Sequence, residues 1–245
     1  MKIKDILKKI TIFILIFAMI LPIFIYENNE VQANNSYYLL LKTSNKVIGK
    51  LNYEPRKSYV DNYYRYKGDN IAADSLWISN ELTQNTKGKI RAFCIEAGTS
   101  CAVIDIDSSN VDWSTRAKYI ESSKPLFPGD YEKIKAYIAY LEEKNIASVN
   151  NVQGGIWTIL NQLIPNSLIS STINDFNKLY NSLSSKERKI MSDQVKISFY
   201  KDNTYDGQSF LTYDYEEKVI SKLSLKKESA NDSWVINEAP NLYSL

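Results

Sequence analysis

The sequence predicts an α+β fold, with an antiparallel β-sandwich or barrel as its core and a helical insertion between two blocks of strands. Three observations support this prediction. Short runs of β-branched and aromatic residues fill 37–107, apolar residues recur at helical spacing in 130–192, and strand-like runs return from 195 onward. No proline- or glycine-rich linker separates these segments, so we expect them to share one domain.

Six strands are predicted in the first block. They cover 37–42, 46–51, 59–66, 75–79, 89–96 and 101–107. All are short and rich in the residue types that favour strands. In 89–96, the period-two alternation of a strand places Ile90, Ala92 and Cys94 on one face. We therefore expect the Cys94 thiol to lie among apolar neighbours.

The middle of the chain predicts helices at 130–144, 151–163 and 168–183, where apolar residues recur at helical spacing. Asp130 is the expected N-cap of the first of these helices. Ser184 with Glu187 three residues later forms a capping box, which predicts a short last helix. Strands are then expected at 195–199, 211–215, 219–225 and 234–236.

The N-terminal segment has the pattern of a signal peptide. Four lysines precede an apolar run over 10–26, and a polar stretch then leads to Val31-Gln32-Ala33. Pro22 and the Ala33 site favour cleavage after Ala33 over an uncleaved anchor, for which the run is barely long enough. We therefore divide the chain into a signal peptide at 1–33, a domain at 34–226 whose helical part is about 112–192, and a C-terminal strand or tail at 227–245.

Composition narrows the possible chemistry. The chain contains no histidine, which excludes Cys–His and Ser–His catalysis and histidine-ligated metal sites. Its two cysteines cannot form a four-cysteine zinc site, and we predict neither a metal nor a cofactor. With 30 basic and 28 acidic residues, the chain also gives no reason to expect a nucleic-acid partner.

Cys94 and Gln153 are the candidate reactive pair. Cys94 stands between Phe93 and Ile95 on a predicted core strand, and Gln153 is expected in the first turn of a helix. A thiolate held next to a glutamine carboxamide can attack its carbonyl carbon and expel ammonia, which leaves an internal thioester. An unperturbed cysteine is only a few per cent thiolate at neutral pH, so a local base would help, and Glu96 is a candidate.

The residues after Gln153 suit such a site. Gly154 and Gly155 are poor helix formers, at a cost of about 1 kcal/mol each, so their position near a helix start indicates close approach of another group. Trp157 lies four residues after Gln153 and hence on the same helix face, where its ring would shield the bond from water.

A disulfide between Cys94 and Cys101 is the main alternative. A hairpin through 95–100 would place the two cysteines opposite each other in an exported protein. This bridge would close a small loop and stabilise the fold by about 2 kcal/mol at most. The chain would then be a non-covalent secreted binding domain, whose eighteen tyrosines offer rigid contact surface.

The two motifs together resemble the thioester domains of Gram-positive bacterial surface adhesins. Those domains pair an aromatic-Cys-aliphatic strand with an aliphatic-Gln-x-x-aliphatic-Trp helix. The resemblance implies a Cys94–Gln153 thioester supported by the flanking motif residues, which are Phe93, Ile95, Val152, Gly154, Gly155, Ile156 and Trp157. It also implies attachment to an amine of a host surface or matrix protein, in a single covalent event rather than by enzymatic turnover.

The expected location is secreted or on the bacterial cell surface, although the C-terminal end carries no wall-sorting motif. Membrane contact is expected only through the N-terminal segment, if that segment is not cleaved. An exported hydrolase with paired carboxylates, at Asp105 with Asp107 or at Glu216 with Glu217, is a further alternative. Alternating or adjacent acids of this kind more commonly form a solvated strand face.

Overall fold

The computed structural model describes residues 36–57, 64–108, 118–203 and 207–216, and the backbone of 225–227 and 234–236. Its core is a seven-stranded sheet in the order β6-β1-β4-β5-β10-β9-β7. These strands are β1 (Tyr38–Lys42), β4 (Ser75–Ser79), β5 (Ile90–Cys94), β6 (Ile104–Asp105), β7 (Tyr119–Ser122), β9 (Val195–Asp202) and β10 (Phe210–Tyr215). Only the short β6 pairs in parallel, with β1.

This sheet curls into a half-barrel. Tyr37, which precedes β1, forms an antiparallel bridge with Tyr119 of β7, although the two strands lie near opposite ends of the sheet. Backbone hydrogen bonds of 2.7 and 2.8 Å join the two residues in both directions. The Tyr119 ring is fully buried, packs edge-on against Phe210 at 5.3 Å and donates its hydroxyl to the Ala102 carbonyl at 2.8 Å.

A second, antiparallel sheet has the order β3-β2-β8, formed by β2 (Val47–Leu51), β3 (Asn70–Ala72) and β8 (Leu163–Pro165). Four helices lie between β7 and β9 in the described chain: α1 (Tyr131–Glu143), α2 (Val149–Ile159), α3 (Ser167–Ser182) and α4 (Ser185–Ser192). The segments β11 (Leu225–Lys227) and β12 (Trp234–Ile236) pair with each other. No helix among the described residues is both long and apolar enough to cross a bilayer.

The predicted α+β class is confirmed, with helices inserted between strand blocks. Sequence signals for helix starts are confirmed as well. Asp130 caps α1 by accepting the Lys133 N–H at 2.9 Å, and the Ser184–Glu187 capping box is present with both of its hydrogen bonds.

Several boundaries differ from the prediction. The helical part was expected at about 112–192, but the first described helix begins at Tyr131 and Tyr119–Ser122 is a strand. The helix predicted at 151–163 ends at Ile159, and β8 follows it. Of the strand predicted at 59–66, residues 64–66 are not in a strand and the remainder lies outside the described residues. The proposed signal peptide also lies outside them.

Candidate functional site

Cys94 is the last residue of β5, in the middle of the large sheet. It pairs with Phe210 of β10, and the next residue along continues the pairing through an Ile95 N–H bond to the Ser209 carbonyl at 3.1 Å. The side chain of Cys94 is 7% exposed. The expectation that the thiol lies among apolar residues therefore holds, although Ile90 at the start of the same strand is half exposed.

Gln153 comes from the helix α2, which begins two residues earlier than predicted. Ser148 caps this helix by accepting the Asn151 N–H at 3.2 Å, so Gln153 lies after the first turn rather than within it. The side chain is 2% exposed. A buried carboxamide must find hydrogen-bond partners in the protein, and Gln153 finds both on one residue.

That residue is Cys94. The Cys94 N–H donates to Gln153 Oε1 at 2.8 Å, and Gln153 Nε2 donates to the Cys94 carbonyl at 2.8 Å. The carboxamide therefore lies against the peptide groups of Cys94 in the manner of a neighbouring strand. An N–H directed at Oε1 polarises the carbonyl and is placed to stabilise negative charge on that oxygen during attack at the adjacent carbon.

The two glycines after Gln153 allow α2 to pack closely against its neighbours. A Cβ on Gly155 would overlap the Tyr137 ring of α1, and a Cβ on Gly154 would lie 2.8 Å from Cγ2 of Ile169 in α3. The close approach that the sequence indicated is therefore present. It holds α2 between two other helices with Gln153 on the sheet side.

The other motif residues belong to the core. Phe93, Ile95, Val152, Ile156 and Trp157 are all buried. The Phe93 ring stacks on Tyr213 at 5.7 Å. Among the described residues, Trp157 Nε1 has no hydrogen-bond partner, so this side chain contributes as an apolar ring.

The environment of Cys94 favours the neutral thiol. Burial raises the pKa of Cys94 well above its ordinary value, and the neighbouring Cys101, Asp74 and Glu96 raise it further. The Gln208 side chain acts in the opposite direction and lowers the pKa. The thiol is therefore protonated at neutral pH, and its attack on a carbonyl requires removal of that proton.

Glu96, the candidate base, is engaged elsewhere. Its Oε2 accepts from Arg56 Nε at 2.6 Å, and Ser209 Oγ lies 3.4 Å from its Oε1. Arg56 also donates to the Gly207 carbonyl. The buried carboxylate thus joins the turn after Cys94 to two other segments, which is a structural role.

Cys94 and Cys101, both within the described chain, carry thiols and are not joined by a disulfide. The carboxylate pairs do not form a site either. Asp105 Oδ1 accepts the Asp107 backbone N–H at 2.9 Å in a turn, and Glu216 pairs with Lys196 at 3.2 Å. Glu217 lies outside the described residues, within which no cluster of three or more acidic or cysteine side chains could hold a metal.

Sequence reasoning missed two further buried glutamines around the turn after Cys94. Gln162 accepts the Ala97 N–H at 2.7 Å and donates to the Ile95 carbonyl at 2.9 Å. Gln208 donates from Nε2 to the Thr99 carbonyl at 2.6 Å. The signal for Gln162 was a pair of polar residues, Asn161 and Gln162, between Leu160 and Leu163 in an apolar stretch, whereas nothing near Gln208 distinguishes it in the sequence.

Three solved structures resemble parts of this fold. The N-terminal thioester domain of a Clostridium perfringens surface protein is 16% identical, with 65% of this chain and 97% of that chain covered at a TM-score of 0.36. A cysteine-to-alanine mutant of that domain is also 16% identical, with 65% of this chain and 98% of that chain covered at a TM-score of 0.37. The N-terminal domain of the Streptococcus pyogenes pilus tip adhesin Cpa is 13% identical, with 76% of this chain and 96% of that chain covered at a TM-score of 0.37. No protein-family model and no curated protein matches the chain.

Proposed function

We propose that this chain is an exported covalent-binding domain of the adhesin type, in which Cys94 and Gln153 form an internal thioester. The observation that supports this most directly is the pair of 2.8 Å hydrogen bonds between the Gln153 carboxamide and the backbone of Cys94. They hold the carboxamide at the residue whose thiol would attack it. Proximity of this kind replaces a collision with an intramolecular step.

The bond-forming step is balanced without any cofactor. Cys94 Sγ attacks the Gln153 carboxamide carbon, the C–S bond forms, the C–N bond breaks, and the nitrogen leaves as ammonia with the proton from the thiol. The Cys94 N–H stabilises the charge on Oε1 in the intermediate. Burial of both side chains keeps water away from the product.

The thioester would then react with a primary amine, for which we propose a lysine of a host surface or matrix protein. The amine attacks the same carbon, a C–N bond forms, and the C–S bond breaks to return the Cys94 thiol. The amide product has no leaving group of comparable quality. Each molecule is therefore consumed in one attachment and does not turn over, so the domain is a covalent binder rather than an enzyme.

Intact mass tests the thioester. The chain should weigh one ammonia less than its sequence, and Cys94→Ala and Gln153→Ala should each abolish this deficit while Cys101→Ala retains it. Methylamine should add its own mass at Gln153 and make Cys94 reactive to iodoacetamide. A deficit of two hydrogens with both thiols unreactive would instead establish the disulfide.

The adhesin role needs a second experiment. Incubation with a lysine-bearing host surface protein should give an adduct that survives boiling in detergent and is absent with Gln153→Ala. If methylamine reacts but no host extract gives an adduct, the thioester is present and the proposed partner class is wrong. If neither reacts although ammonia is lost, the bond is a structural cross-link.

A further inference from the structure

Gln208 lies beside Cys94 on the same side of the large sheet. Phe210 of β10 is the register partner of Cys94, and the Ile95 N–H bond to the Ser209 carbonyl extends the pairing toward Gln208. Since side chains alternate along a strand, Gln208 points to the same side as Phe210 and is a diagonal cross-strand neighbour of Cys94. Its backbone is fixed by a 3.1 Å bond from its N–H to the Ser100 carbonyl.

The Gln208 carboxamide is held in a defined orientation. It is 5% exposed, and Nε2 donates to the Thr99 carbonyl at 2.6 Å. The same side chain lowers the pKa of Cys94, which is the effect of a hydrogen-bond donor close to the sulfur. Gln153 therefore bonds to the backbone of Cys94, whereas Gln208 lies across the strand pair on the side of its thiol.

We propose that Gln208 assists the reaction by donating a side-chain N–H to Cys94 Sγ while the sulfur carries negative charge. This inference rests on the proposed thioester function. When an amine attacks the Gln153 carbon, the C–S bond breaks and the sulfur keeps the electron pair. The proton lost by the amine nitrogen later neutralises the sulfur as a thiol.

Burial of the site makes a hydrogen-bond donor to the Cys94 sulfur important for the rate of the reaction. The sulfur leaves into a buried site where water is excluded and where charge without a partner is costly. Hydrogen bonds to charged groups are the stronger ones, so loss of this donor should slow aminolysis about tenfold or more. Formation of the thioester between Cys94 and Gln153 benefits from the same donor, because the attacking species is the Cys94 thiolate.

Gln194 supplies a matched control. It is also buried, its Nε2 donates to a backbone carbonyl, that of Met191 at 3.3 Å, and its Oε1 has no partner among the described residues, as is true of Gln208 Oε1. Gln194→Met therefore removes an equivalent amide away from the sulfur. Gln208→Met and Gln208→Glu remove the donor while preserving side-chain length, and circular dichroism shows which variants fold.

The first measurement is the rate of methylamine addition at neutral pH, followed by intact mass. Gln208→Met and Gln208→Glu should react about tenfold more slowly than the wild type or not form the thioester, whereas Gln194→Met should react at the wild-type rate. Equal rates in all four proteins would overturn the proposal. The wild-type reaction in the same series reports separately on the proposed function.

The second measurement needs no thioester. In a Gln153→Ala, Cys101→Ala background Cys94 is the single thiol left, and its pKa is read from the pH dependence of alkylation. Adding Gln208→Met should move the midpoint upward by about one pH unit or more. Adding Gln194→Met should leave it in place. An unchanged midpoint in the folded Gln208→Met protein would refute the sulfur contact even if the thioester exists.

Discussion

At the scale of single residues, the position of Gln153 separates it from a chemically identical neighbour. Gln153 and Gln162 are both buried, and each carboxamide bonds to backbone groups of the chain that leaves β5. Gln153 is bonded to Cys94 itself, whereas Gln162 spans Ile95 and Ala97. The two glutamines therefore differ in the peptide groups that they contact, and in the proposed reaction this difference selects Gln153.

This difference predicts separate effects of two substitutions. Gln162→Ala should keep the loss of ammonia but lower the free energy of unfolding by about 2 kcal/mol or more, because the Ala97 N–H and Ile95 carbonyl lose their partners in a buried site. Intact mass and urea unfolding measure the two quantities. If the ammonia deficit disappears in Gln162→Ala and persists in Gln153→Ala, the assignment of the reactive glutamine is wrong.

The raised pKa of Cys94 predicts how stability depends on pH when no thioester is present. In Gln153→Ala the folded thiol titrates well above its ordinary range, chiefly because of burial, while the unfolded thiol titrates near its usual value of about 8.5. A group with a raised folded pKa stabilises the fold below the unfolded pKa and loses that contribution as pH rises. Gln153→Ala should therefore lose stability between pH 7 and pH 10.

The buried tyrosines also titrate at high pH, so the comparison must isolate the thiol. The double variant Cys94→Ala, Gln153→Ala retains all the tyrosines and lacks the thiol. Urea unfolding at both pH values should show a larger loss for Gln153→Ala than for the double variant. Parallel losses would show that the thiol is not responsible.

At the scale of elements, local signals identified the helices and most strands, and missed three short strands. The capping box at Ser184 and the cap at Asp130 act within one turn, so they can be read from neighbouring residues. Strands β3, β7 and β8 have three or four residues each, and β7 and β8 pair with segments far away in the sequence. Their existence depends on partners that local patterns do not reveal.

Packing of α2 gives a graded prediction at its two glycines. Helix propensity alone would make alanine stabilising at both positions by about 1 kcal/mol. At Gly155 the new methyl group would overlap the Tyr137 ring, whose hydroxyl is fixed on the Asn151 carbonyl at 3.0 Å, so overpacking should dominate. At Gly154 it would lie 2.8 Å from the Cγ2 methyl of Ile169 and 3.2 Å from its Cγ1, a less severe overlap with a single aliphatic side chain.

Gly155→Ala should therefore lower the free energy of unfolding by about 2 kcal/mol and reduce the fraction of protein that has lost ammonia, because α2 is displaced from Cys94. Gly154→Ala should have a smaller effect on both quantities. Urea unfolding and intact mass of the two variants provide the test. A fully formed thioester with undiminished stability in Gly155→Ala would contradict the packing argument.

At the scale of the whole molecule, the site exists only when the fold is complete. Cys94 and Gln153 are 59 residues apart, on a central strand and on a helix inserted between β7 and β9. The sequence indicated both partners because each stands in a short motif. It did not indicate the two hydrogen bonds between them or the contacts that Gln208 and Gln162 make, because those contacts depend on the register of β5 with β10 and on the end of α2.

The same separation predicts that the proposed bond stabilises the fold. A cross-link that closes a loop of 59 residues should contribute about 4 kcal/mol on the chain-entropy model, since it restricts the unfolded chain. Methylamine would open this loop while leaving an amide at Gln153 that can keep its hydrogen bonds to Cys94. Treated wild-type protein should therefore unfold at a lower urea concentration than untreated protein, and Gln153→Ala should show no change on treatment. If methylamine adds its mass to the wild type but the unfolding midpoint stays the same, the thioester does not constrain the unfolded chain and its role is confined to reaction with a target.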